Sequence, residues 1–289
     1  MPKILTPFNA CADGHYWGCN NLQPQDRCGI CMPKKNWECG IHGWPGILPS
    51  MDCEGCNPPP KADYERPILT VDVVCFTLID DVLHVLLMKR DREPFFEKLA
   101  LPGGYIHVDE DKNTLDAAKR VTKEKLGIDV PYLEQLGTFS GLSRDPRGWS
   151  ASVSYIAVVQ PSKLKETAGF YPVGDDIRFT FGQWKSWPTI LAFDHWEIID
   201  DAVKRIRDKS TYSSLPLFFM NKTFTLTDLQ TVYESMMQES IDKASFRRKI
   251  LEQGIVEPTG EVLGTKKHRP ARLFRPTKET LKLFKSTIG

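Results

Sequence analysis

Two apolar runs rich in β-branched residues, LTVDVVCFTLI (Leu69–Ile79) and LHVLLMKR (Leu83–Arg90), stand on either side of an Asp80–Asp81 pair. Such runs split by a short polar turn predict a β-hairpin. A helical pattern follows from Asn113 to Leu126, then two more strand-like runs, LEQLGTFSG and WSASVSYIAVVQ, and a second helical stretch, FDHWEIIDDAVKRIRDK (Phe193–Lys209). Strands around one helix, closed by a second, predict a mixed α/β fold in which helices cover a sheet. With 289 residues the chain has room for further domains. We divide it into a Cys-rich segment over 1–60, an α/β domain over 66–210 and a third domain over 211–289, with the proline-rich NPPPKADYERP as the first linker.

The N-terminal segment is built on different chemistry. Seven of the eight cysteines lie between Cys11 and Cys56, and Cys75 stands alone in a strand. Three pairs have two residues between their members: Cys28 and Cys31, Cys39 and His42, Cys53 and Cys56. That spacing lets one tight turn present two donors to a tetrahedral zinc ion. In a reducing cytosol the density points to metal before disulfides or free thiols. One or two structural Zn²⁺ ions are expected. An interleaved arrangement puts Cys28, Cys31, Cys53 and Cys56 on one ion and Cys11, Cys19, Cys39 and His42 on the other, with His15 as a competitor. Few apolar residues recur here, so metal would supply much of the folding energy.

Charge excludes less than it constrains. Lys plus Arg number 38 against 37 acids, a net of +1, so basic character, if used, must be local. No run of about 18 apolar residues occurs and no charged-then-apolar leader opens the sequence. A cytoplasmic protein with no membrane partner is expected.

The last quarter supplies the local basic face. FTLTDLQTVYESMMQ has Thr225 or Thr227 as a helix cap, and KASFRRKILEQG makes a second helix with Phe246, Ile250 and Leu251 toward the core. Arg247, Arg248 and Lys249 then face solvent. IVEPTGEVLGTKKHRPARLFRP predicts a hairpin with Lys266, Lys267, His268 and Arg269 at its tip. A charge run alone is usually a solvated face. Helix, turn, basic helix and basic hairpin in succession is the winged-helix order, which implies duplex DNA as partner.

The stretch LPGGYIHVDEDKNTLDAAKRVTKEKLGI (Leu101–Ile128) resembles the Nudix box, G-x(5)-E-x(7)-R-E-U-x-E-E-x-G-U, where U is aliphatic. Gly104, Glu110, Arg120, Glu124, Gly127 and Ile128 match it. Nine residues separate Glu110 from Arg120 where the box has seven, and Val121, Thr122 and Lys125 replace Glu, an aliphatic residue and Glu. Pyrophosphate hydrolysis in that family needs divalent cations, and hard Mg²⁺ takes several carboxylate oxygens. With Glu124 alone and Lys125 beside it, no catalytic residue and no Mg²⁺ are expected, only a box remnant.

Together with VDVVCFTL, REPFFEKLALPGGYI and SRDPRGWSASVSYIAVV, the chain is similar over most of residues 68–275 to the Nudix-related transcriptional regulators of NAD metabolism, the NrtR family. The resemblance implies a Nudix-like α/β/α sandwich that senses ADP-ribose or a related nucleotide, a winged helix that binds DNA, and a homodimer to match a palindromic site. The small zinc segment is outside that pattern. Arg144 and Arg147 would clamp a diphosphate, Gly103 and Gly104 would let backbone approach the ligand, and Trp149, Phe95 and Phe96 are candidates for adenine stacking or for the core. Two other functions fit parts of the sequence: a Nudix-type hydrolase of ADP-ribose or another nucleoside diphosphate derivative, and a zinc-stabilised interaction adaptor.

Overall fold

The structure, a computed structural model, describes residues 66–127, 129–164, 169–173, 191–265 and 268–288, the last pair of spans without the side chains of Thr265, His268 and Arg269. The chain divides into two units, Met1–Arg66 and Pro67–Gly289. All the expected zinc ligands, Cys11 to Cys56, lie outside the described residues.

Strand β1 (Ile68–Ile79) organises the second unit. It pairs antiparallel with β2 (Val82–Leu86) through the expected turn, where Asp80 and Asp81 both take left-handed backbone (φ 50° and 60°). Two consecutive left-handed residues give the tight hairpin its twist, and Asp tolerates that conformation better than most residues. On its other side β1 runs parallel to β7 (Ser150–Val158), which pairs antiparallel with β6 (Tyr132–Gly141). A short β3 (Met88–Lys89) pairs with β4 (Leu99–Ala100). Strand β5 (Gly103–Tyr105) also pairs with β1, and β8 (Phe170–Pro172) extends the sheet beyond β2.

The twofold periodicity of β1 divides its side chains between two layers. Val71, Val73 and Cys75 join Ala117, Ala118 and Val121 of helix α1 (Thr114–Leu126) in one buried cluster. Val74, Phe76 and Leu78 join Ile198, Ile199 and Ala202 of helix α2 (His195–Thr211) in another. The result is a sheet with a helix on each face. Helix α1 begins where its sequence says it should: the Asn113 side chain accepts from the Asp116 amide at 3.0 Å, and such a cap contributes about 1 kcal/mol. It stops at Gly127, which adopts φ 70°. Cys75 is buried without polar company, and burial pushes its thiol up to about 12. It is a core residue.

The C-terminal part is a winged helix. Strand β9 (Phe224–Thr225) leads into helix α3 (Leu226–Met237), where Thr225, rather than Thr227, caps and exchanges hydrogen bonds with Asp228. Helix α4 (Lys243–Gln253) starts at Asp242 and ends at Gly254. Strands β10 (Val256–Thr265) and β11 (His268–Pro276) form the wing, and β11 also pairs with β9. Phe246 and Ile250 are fully buried as expected, but Leu251 is 49% exposed. On an 11-residue helix, Phe246 and Ile250 are one turn apart on one face, and Leu251 lies about 100° around from Ile250.

No break in packing separates the two halves of this unit. Leu229, Tyr233 and Met236 of α3 share one hydrophobic core with Ala202, Val203 and Ile206 of α2. Tyr233 donates from its hydroxyl to the Ser213 carbonyl at 2.9 Å, and Ser235 donates to the carbonyl of Asp81 in the β1–β2 turn. Among the described residues no helix is long and apolar enough to cross a membrane.

Candidate functional site

Gly103 sits where no other residue fits. A Cβ there would lie 2.1 Å from Asp72 Oδ1 and 2.9 Å from the Val71 carbonyl oxygen. Asp72 is the acid in the middle of β1, and it is buried. Ser152 Oγ donates to its Oδ2 at 2.6 Å, His195 Nε2 stands 3.6 Å from its Oδ1, and Arg144 Nη2 stands 3.8 Å from its Oδ2. The loop Leu101–Gly104 therefore lies over a buried polar cluster. Burial, only partly offset by the charge of Asp72, lowers the basicity of His195, whose Nδ1 accepts from the Leu101 amide at 2.9 Å.

The box remnant has a centre, and it is not the one the spacing picks out. Arg120 directs Nε to Asp111 Oδ1 at 3.0 Å and Nη2 to Asp111 Oδ2 at 2.8 Å, while Nη2 also donates to the Tyr105 carbonyl at 3.0 Å. Glu110, the acid matched to the box, is exposed and 3.8 Å from Arg120 Nε. Glu124 is exposed and paired with Arg120 at 3.5 Å. Val121 is 1% exposed and packs into the core beneath the sheet. Thr122 is also buried, with Oγ1 donating to the Ala118 carbonyl at 2.7 Å, and Lys125 is at the surface.

That donor set does not fit the divalent cations of a Nudix hydrolase. Where the box helix carries three acids, this one keeps Glu124, already engaged by Arg120, beside Val121 and Lys125, and so offers Mg²⁺ one of the several carboxylates it takes. Among the described residues no group of three or more His, Cys, Asp or Glu is placed to hold a metal ion.

The two arginines expected at a diphosphate have different settings. Arg144 is buried, with Nε and Nη2 on the two oxygens of Asp194 at 2.9 and 2.8 Å and Nη1 on Ser150 Oγ at 3.1 Å. Its fork is filled by the fold. Arg147 is exposed: Nε and Nη2 donate to Asp145 at 3.0 and 2.7 Å, and Nη1 donates to the Tyr105 hydroxyl. Its guanidinium carbon lies 5.7 Å from the Tyr105 ring centre and 5.9 Å from that of Phe193. Arg90 lies 4.8 Å from the same Phe193 ring. Phe95 meets Phe193 edge-on at 4.8 Å, whereas Phe96 and Trp149 are exposed. Phe193, Tyr105, Arg90 and Arg147 thus form an arginine–aromatic cluster next to the loop Leu101–Gly104. Burial and the neighbouring Arg147 and Arg92 charges lower the pKa of Arg90, as expected where cations crowd without enough anions.

On the winged helix, Arg248 is 70% exposed in its side chain and only 4.0 Å from Glu252. Arg247 reaches Thr227 Oγ1 at 3.4 Å. Lys249 turns the other way and donates from Nζ to the carbonyls of Thr287 and Ile288 at 3.3 and 3.1 Å. Lys266 and Lys267 lie outside the described residues, as does the side chain of Arg269.

Residues 69–201 match the NUDIX domain, and residues 216–275 match the NrtR DNA-binding winged helix domain. The chain is 36% identical over 222 residues to the ADPR responsive transcriptional repressor NtrR of Acinetobacter baylyi, covering 74% of this chain and 84% of that protein. It superposes on the crystal structure of Shewanella oneidensis NrtR complexed with a 27mer DNA at a TM-score of 0.65 and 33% identity, covering 76% of this chain and 98% of that one. The chain belongs to the NrtR family. A further relative, the ADP-ribose pyrophosphatase of Methanocaldococcus jannaschii, is 34% identical over 142 residues, 49% of this chain and 76% of that protein.

Several residues that shape this NrtR chain carry only faint marks in the sequence. Asp111 follows Glu110 directly, and the two extra residues before Arg120 were the signal that the acid facing the arginine had moved. Asp72, a lone acid inside an apolar strand, was the second signal, because a buried carboxylate needs partners. Phe193, Asp194 and His195 gave none beyond their place at the start of a helical stretch.

Proposed function

We propose that this chain is a DNA-binding transcriptional regulator that answers to ADP-ribose or a related NAD metabolite. The observation that carries the reading is a Nudix fold whose box lacks a usable metal set, joined through one core to a winged helix with Arg248 displayed on its second helix. A relative described as ADPR responsive and a family structure holding DNA support the same conclusion. The arginine–aromatic cluster of Arg90, Arg147, Tyr105 and Phe193 is where we place the nucleotide, with Arg147 toward its diphosphate. Arg144 supports that site from below, through Asp194.

The test is a mobility-shift assay on a palindromic duplex enriched by the full-length protein from a randomised pool, with and without ADP-ribose. A shift that ADP-ribose changes supports the reading; absence of any shift at low salt overturns it. Hydrolysis remains the second reading because one relative is an ADP-ribose pyrophosphatase. Turnover with Mg²⁺ and no DNA shift would select it. If neither nucleotide nor DNA binds, the adaptor reading moves ahead.

We infer also that the N-terminal segment binds one or two zinc ions through Cys11, Cys19, Cys28, Cys31, Cys39, His42, Cys53 and Cys56. The protein would act as a homodimer, since twofold symmetry matches a palindromic site.

A further inference from the structure

Helix α2 is fastened at each end to a part of the molecule with a different task. At its start, Asp194 holds the Arg144 fork at 2.8 and 2.9 Å, and His195 Nδ1 accepts from the amide of Leu101 at 2.9 Å. Leu101 opens the loop of Gly103 and Gly104, and Phe193, the residue before Asp194, is in the arginine–aromatic cluster with φ 54°. At its end, Ile288 donates its amide to the Thr211 carbonyl and Phe284 to that of Tyr212, both at 2.7 Å. Ser213 forms a bridge with Leu283. The same C-terminal tail receives Lys249 on the carbonyls of Thr287 and Ile288. Lys249 belongs to α4, the helix that carries Arg247 and Arg248.

Between the two ends lie 17 helical residues, a span of roughly 25 Å at about 1.5 Å per residue. Phe284 and Ile288 are both buried in the core shared by α2 and α3.

We propose that α2 is the rod through which the effector site moves the DNA-reading helix, with His195 and Asp194 as positioning residues at one end and the tail residues 283–288 at the other. The inference rests on reading the chain as an effector-answering regulator. A close-packed interior does not deform gradually, so small shifts pass to the next discrete packing arrangement. A displacement of the Leu101–Gly104 loop or of Phe193 meets a helix start pinned by both the hydrogen bond from the Leu101 amide to the His195 ring and a two-pronged ion pair. It is carried along α2. At the far end main-chain hydrogen bonds join it to the tail, and Lys249 joins the tail to α4.

The experiment measures, on the full-length protein and the enriched duplex, the DNA dissociation constant with saturating ADP-ribose divided by that without it. His195→Leu removes the acceptor for the Leu101 amide; His195→Asn returns an oxygen near the place of Nδ1. The unaltered protein should show a ratio at least about fivefold from one. In His195→Leu, with both ligands still bound, the ratio should fall to within about twofold of one, and His195→Asn should recover it. A histidine with only a structural role would change stability and leave the ratio alone, and that result overturns the proposal. If His195→Leu fails to fold, amide exchange on the unaltered protein decides: ADP-ribose should change protection at Phe284 and Ile288 by about tenfold. Exchange that changes at Leu101–Gly104 and not in the tail overturns the proposal. A ratio of one in the unaltered protein, with both ligands bound, overturns the regulator reading itself and the rod with it.

Discussion

The guanidinium of Arg120 meets both carboxylate oxygens of Asp111, at 3.0 and 2.8 Å, and so ties helix α1 to the loop that leads into it. The hydrogen bond from Arg120, helped by the His107 amide, holds the Asp111 carboxyl down at about 2, against an ordinary 3.8. An acid depressed on folding contributes stability that is present above its unfolded value and lost as pH falls through its folded value. Denaturant midpoints should therefore decline between about pH 4 and pH 2, and Asp111→Asn should flatten that part of the profile. Equal slopes in the two proteins would show that the loss comes from other carboxylates.

Neighbouring glycines should respond differently to the same methyl group. Gly103→Ala places a carbon 2.1 Å from Asp72 Oδ1 and 2.9 Å from a backbone oxygen, whereas Gly104→Ala meets Val121 at 3.5 Å, an ordinary contact. Overpacking of the first kind costs roughly 1–3 kcal/mol. Urea unfolding should show that loss for Gly103→Ala and a much smaller change for Gly104→Ala.

Mg²⁺-dependent hydrolysis of ADP-ribose should be far slower than about 1 per second, the low end of ordinary enzymes. Val121→Glu with Lys125→Glu restores the acids of the box in name, but Val121 is 1% exposed inside a core cluster. An uncompensated carboxylate there costs several kcal/mol. The double variant is expected to lose stability before it gains turnover, and a stable variant with fast hydrolysis would contradict this account.

How much of this was legible beforehand depended on the range of the interactions. The Asp80–Asp81 turn and the helix from Asn113 to Leu126 are local, and the sequence declares each within a few residues. The winged-helix order was legible for the same reason. Arg144 was not, because Asp194 lies fifty positions away and only the fold brings the two together. Lys249 misled in another way. In a run of three basic residues nothing distinguishes the one that turns inward to the carbonyls of Thr287 and Ile288.

That distinction gives a prediction on DNA. Arg248→Ala, if Arg248 reads a guanine edge, should cost about 1–3 kcal/mol and relax preference at one base pair. Lys267→Ala should weaken all sequences alike and flatten the salt dependence by about one unit. Lys249→Met should lower the thermal midpoint and leave base preference intact. Binding titrations on a panel of single-base operator variants separate the three.

Zinc content is measured directly. The purified protein should carry one or two ions per chain, and Cys28→Ser should lower the content while the unit from Pro67 onward stays folded. Less than about half an ion after zinc-replete expression would exclude a metal-built segment.

A winged helix usually travels as a portable module, cut and joined at will. This one has lent its inner face away: Leu229, Tyr233 and Met236 have α2 as their neighbour, and the last residues of the chain return to close the joint. Excising it at Tyr212 would leave those side chains facing water, so a fragment meant to isolate DNA binding must keep the ligand domain. The same holds for evolution, in which a new effector specificity can reshape the far side of the sheet, but neither half can be exchanged without rebuilding the surface of the other.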